Sequence, residues 1–119
     1  MVDEVALLVA DRAGTIVLWN ERASVFFGHE AAVAIGASLD LVVPEHLRAR
    51  HWAGFRRAWE TGMDDVPRIA VLPVLCADGE VRRFPARLLP LRGPYGELAA
   101  IAGVYATPSD RDAALFAMG

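Results

Sequence analysis

Two short apolar runs open the chain with a polar turn between them. Residues 5–10 (VALLVA) suit a buried strand, and residues 15–19 (TIVLW) are β-branched and aromatic. Between them Asp11 can bond its own backbone and Gly14 can take positive φ, so the runs are predicted to pair as a hairpin. The pattern then turns helical. Asn20 has the chemistry of an N-cap, Ala23, Phe26 and Phe27 form an apolar side, and Gly28 is the stop. A further short turn fits residues 29–35 before Gly36, and Ser38 can cap another through residue 42. Pro44 opens a long helix that runs to Thr61 and stops at Gly62.

Beyond that point the pattern is purely β. Residues 68–76 read as a strand kept off a central position by Pro73. Asp78-Gly79 is a strong hairpin signal, and residues 80–91 and 97–107 form two more strands around the turn at 92–96. The order β-β-α-α-α-α-β-β-β predicts an α+β domain. Its five-stranded antiparallel sheet has several helices inserted between the second and third strands, covering one face.

Composition narrows the function. At 119 residues the chain is one domain, and 55% hydrophobic residues with mean hydropathy +0.31 call for a thick core or an apolar surface used for pairing. No apolar run approaches the ~20 residues of a membrane span, and the acidic N-terminus lacks a signal-peptide layout. Cys76 is the single cysteine, which fits a reducing compartment, so a cytoplasmic location is expected. A net charge of -3 argues against nucleic-acid contact. The arginines of the long helix (Arg48, Arg50, Arg56, Arg57) read as a solvated face.

On a wheel of ~100° per residue, Leu47, His51, Gly54, Phe55 and Ala58 share one stripe of the long helix, flanked by Trp52 and Trp59. His51 therefore points toward the sheet, where a neutral imidazole needs a partner for each nitrogen. Gly54, one turn on, leaves room there for something flat. Ser38, Tyr105 and Arg68 are the other polar candidates for a pocket bordered by Leu47, Phe55 and Trp59. No nucleophile elbow, phosphate loop or i,i+4 histidine pair is present, so no enzymatic or multi-histidine metal site is expected.

These residues, in this order, resemble the PAS family of bacterial sensory domains. The opening Asp11-x-x-Gly14-x-Ile16-x-x-Trp19-Asn20-x-x-Ala23-x-x-x-Phe27-Gly28 carries the likeness. Ala32-x-x-x-Gly36-x-Ser38-Leu39, Val43-Pro44-Glu45 and Ala77-Asp78-Gly79 continue it. The resemblance implies a non-catalytic sensory module over residues 1–108, binding a small molecule between sheet and helices. It also implies homodimerisation and an output domain in the same signal-transduction protein or transcription regulator. Residues 109–119, with Ser109 and Asp112 at capping-box spacing, then start a signalling helix toward that domain.

The long helix is also similar to that of haem-binding, oxygen-sensing PAS kinases, whose proximal iron ligand falls on His51. Haem held by His51 is thus an alternative to a core or pocket-lining histidine, with Met63 or Cys76 as sixth-ligand candidates. The arginine those sensors place above the haem has no counterpart between Ile69 and Leu75. A ligand-free dimerisation module is a further alternative. Flavin is not expected, because one asparagine and no glutamine offer few amide groups for its edge.

Overall fold

The computed structural model describes residues 5–64 and 69–107. Strands β1 (Ala6–Ala10) and β2 (Ile16–Trp19) form the opening hairpin. Asp11 closes it: its carboxylate accepts from the backbone N–H groups of Ala13 and Thr15, each at 3.0 Å. Helices α1 (Glu21–Phe27), α2 (Ala31–Ala34) and α3 (Arg48–Thr61) follow, with 3-10 turns at Leu39–Leu41 and Glu45–Leu47 between the last two. Strands β3 (Ile69–Leu75), β4 (Val81–Arg92) and β5 (Leu98–Tyr105) complete a five-stranded sheet in the order β2-β1-β5-β4-β3. Every pairing in it is antiparallel.

The expected elements are present, and Pro73 does lie on an edge strand. Two details differ. The turn after Pro44 is 3-10, and the α-helix starts only at Arg48. Gly54 is exposed with open space around its Cα, so it makes no room inside the domain. The buried stripe of α3 is centred on Phe55 and Ala58 instead. The start of the third strand at Arg68 and the tail helix at 109–119 lie outside the described residues.

Asn20 ties the first elements together. Its side-chain oxygen accepts from Ala23 N and from Leu7 N, both at 2.9 Å, and its amide donates to Val5 O at 3.0 Å. One side chain thus caps α1 and satisfies the part of β1 that β2 is too short to pair. The edge of β2 is covered too: Ile16 N donates to Ala37 O and Gly36 N to Ile16 O.

The core lies between the inner sheet face and the helices as one cluster. Phe27, with no exposed surface, is surrounded edge-on by Trp19, Phe84 and Tyr105 at centroid distances of 5.1–5.6 Å. Phe26 stacks flat on Phe84 at 5.6 Å, so α1 docks on β4 and β5 through adjacent rings. Under α3 the filling comes from Leu39, Val42, Phe55, Ala58 and Met63, with Leu72 and Leu88 packed against them.

Candidate functional site

Helix α3 carries the candidate chemistry. Phe55 and Ala58 anchor it on the core, which leaves His51, Trp52 and Trp59 half-buried along its flanks. Trp52 and Trp59 are seven residues apart, two turns on one side of the helix, and both meet the β1–β2 turn. The six-membered ring of Trp52 lies so close over Gly14 that any Cβ at that position would overlap it. The guanidinium of Arg12 sits 5.3 Å above the Trp59 ring. The opening hairpin is therefore clasped by two indoles of α3.

The turn at Leu39–Leu41 supplies a second clamp. Asp40 Oδ1 accepts from Trp52 Nε1 at 2.8 Å and lies 3.8 Å from Arg48 Nε. Arg48 also donates to the carbonyl oxygens of Asp40 (3.2 Å) and Val43 (3.3 Å). One carboxylate thereby fixes the first turn of α3 and the indole plane of Trp52. No sequence signal singles out Asp40, which stands in a local apolar turn twelve residues from Trp52.

His51 packs against Trp52 (centroids 4.8 Å, edge-on) and Phe55 (5.9 Å). Burial pushes its pKa below the ordinary histidine value, against a smaller opposing pull from the Asp40 carboxylate. The imidazole is neutral at pH 7, and its Nδ1 is buried without a hydrogen-bond partner. Trp59 Nε1, eight residues along the helix, is also buried and unpaired. Buried ring nitrogens are ordinarily satisfied, because leaving one bare costs about 1–3 kcal/mol. Two on one helix mark it as the place where a polar group from elsewhere can be received.

The other expected pocket residues separate. Leu47 and Phe55 are on the α3 side with His51. Ser38 is exposed, and its hydroxyl accepts from Asp40 N at 3.1 Å as the cap of the 3-10 turn. Tyr105 is buried edge-on against Phe27. Its hydroxyl is pushed up to about 12 by burial. Arg68 falls outside the described residues. Cys76 is buried, with its Sγ toward the carbonyl oxygens of Phe26 and Val74. Among the described residues no helix is long and apolar enough to cross a membrane.

Comparison with known proteins agrees with this fold. An uncharacterized protein of Azorhizobium caulinodans is 41% identical over 85 residues, covering 70% of this chain but only 11% of that protein. The PAS domain of a Colwellia psychrerythraea protein superposes with a TM-score of 0.73 at 19% identity, covering 85% of this chain and 83% of that one. The Rhodobacter sphaeroides LOV protein gives 0.69 at 21% identity, over 91% and 62% of the two chains. The PAS-B domain of Drosophila melanogaster Cycle, with ethylene glycol bound, gives 0.65 at 14%, over 85% and 97%. The PAS fold family matches residues 3–113, across the hairpin, the inserted helices and the last three strands. By its sheet order, its helical insertion and that match, the chain belongs to the PAS fold family.

Proposed function

We propose that this PAS domain is a cytoplasmic sensory input module that takes up a small organic molecule between the sheet and α3. It passes occupancy to an output domain of the same polypeptide, as in signalling proteins and transcriptional regulators, and acts by binding rather than by catalysis. The observation that carries this reading is the pair of buried, unpartnered ring nitrogens, His51 Nδ1 and Trp59 Nε1. An indole N–H only donates, while a neutral imidazole nitrogen accepts or donates according to tautomer. A mostly apolar molecule with an acceptor for Trp59 and a polar group for His51 would satisfy both.

The Azorhizobium relative supports a modular role, since the matched stretch is 11% of its length. The one amide side chain, Asn20, is committed to Val5, Leu7 and Ala23, which favours a ligand other than flavin. A second reading takes His51 as an iron ligand for haem. Burial keeps the imidazole neutral, the state that ligates metal. Against it, Trp52 and Phe55 already flank the ring within 5.9 Å.

The test is a native mass spectrum and a visible spectrum of the purified chain, followed by a thermal-shift screen of small organic molecules. The expected result is a colourless protein stabilised by specific compounds, with the gain lost in His51→Ala. A Soret band removed by His51→Ala would replace this reading with haem. No stabilising compound and no bound mass would contradict it.

A further inference from the structure

Three aromatic rings stand in file along α3. His51, Phe55 and Trp59 are spaced four residues apart, with ring centroids 5.9 Å and then 6.2 Å from one to the next. The middle ring is buried in the core, and each end ring carries a buried nitrogen without a hydrogen-bond partner, His51 Nδ1 and Trp59 Nε1. Eight residues of helix advance about 12 Å, so no single small polar group reaches both. The row is polar, apolar, polar, and it suits a molecule built in the same order.

The two ends differ in charge. At the Trp59 end the Arg12 guanidinium lies 5.3 Å from the ring centroid, and the indole N–H can only donate. A carboxylate answers both groups, accepting a bond about twice as strong as a neutral acceptor would. Arg12 is exposed on the β1–β2 turn, so such an anion would keep part of its hydration. Asp11, the neighbouring carboxylate, is turned to the backbone N–H groups of Ala13 and Thr15. At the His51 end the charge is reversed, because the Asp40 carboxylate acts on the imidazole and holds the adjoining Trp52 indole. Arg48 is engaged there by Asp40 and by the carbonyl oxygens of Asp40 and Val43. A second anion would meet Asp40, whereas a hydroxyl serves Nδ1 in either tautomer, since it both donates and accepts. We propose that the molecule is an elongated hydroxy monocarboxylate, its carboxylate on Trp59 Nε1 beside Arg12, its chain along Phe55 and its hydroxyl on His51 Nδ1. This rests on the reading of α3 as the ligand-binding element and adds the chemical class of the ligand.

Isothermal titration of the 119-residue chain with four matched probes tests the class: 8-hydroxyoctanoate, octanoate, octane-1,8-diol and octanedioate. The hydroxy acid should bind tightest, with each of the others weaker by at least about ten-fold. Arg12→Ala, at an exposed site, should weaken the hydroxy acid by about ten-fold and erase its advantage over the diol. Arg12→Lys should restore part of that advantage, and circular dichroism melts confirm that both variants fold. Any of the other three probes binding as tightly as the hydroxy acid, or an advantage over the diol unmoved by Arg12→Ala, would overturn the proposal. So would a failure of the hydroxy acid and of its shorter and longer homologues to bind. The two failures are distinguishable. Uncharged compounds whose binding His51→Ala abolishes would leave the α3 site in place and remove only the acid, whereas no binding by any class would remove the site as well.

Discussion

Gly14 holds two constraints at once, a φ of +81° and an indole ring laid directly over its Cα. Gly36 shares only the first, with φ +93° and open space where a Cβ would go. Left-handed backbone costs a non-glycine residue roughly 1–2 kcal/mol, and a forced overlap in a packed site adds about 1–3 kcal/mol. Gly36→Ala should therefore lose about 1 kcal/mol, and Gly14→Ala about 2–4 kcal/mol. In thermal melts that is a fall of about 4 °C against one of about 8–16 °C. Equal losses would mean that Trp52 does not rest on the turn. The sequence marks both glycines through their turn chemistry. It cannot mark the ring above Gly14, because Trp52 reaches it only through the tertiary fold.

At the scale of elements, α3 shows where periodicity stops being informative. The wheel finds the apolar side, and its axis is displaced enough that Gly54 emerges into solvent while Phe55 and Ala58 take the centre. The first turn departs from α-geometry at Glu45–Leu47, so a count from Pro44 misplaces Leu47 relative to the rest of the stripe. Asp40, which fixes Trp52 and Arg48, was not legible at all, since a clamp between two elements leaves no local pattern. His51 was legible as inward-facing, and its burial gives a pH test. Its folded pKa lies below the ordinary value, so the stability tied to its neutral form is present above about 6.5 and is lost as pH falls from there through the lowered folded value. Denaturant melts between about pH 7.5 and 5 should show this loss, and His51→Gln should flatten it. An equal slope in the variant would assign the acid sensitivity to other groups.

For the whole molecule, the element order was sufficient to predict the fold class, and Pro73 placed β3 at the edge. The central position of β5 was not readable, because every strand after residue 68 is apolar enough to be central. Tyr105 ties alkaline stability to the packing around Phe27. Its hydroxyl is raised to about 12, whereas the unfolded chain ionises near 10. The neutral phenol's contribution is complete below about pH 10 and disappears between about 10 and 12 as the unfolded state gives up its proton first. Tyr105→Phe should lose this step in alkaline melts. A retained step would place the titration on another group.

The central claim is that α3 offers two bare nitrogens to a small molecule. The most direct measurement is a nitrogen-15 NMR titration of the compounds found by thermal shift, following the His51 ring nitrogens and the Trp59 indole N–H. Binding as proposed moves both signals together with one saturation curve, while the Trp19 indole, already bonded to Ser24 and His29, stays still. Compounds that bind while both nitrogens keep their free shifts would place the ligand elsewhere and contradict the account.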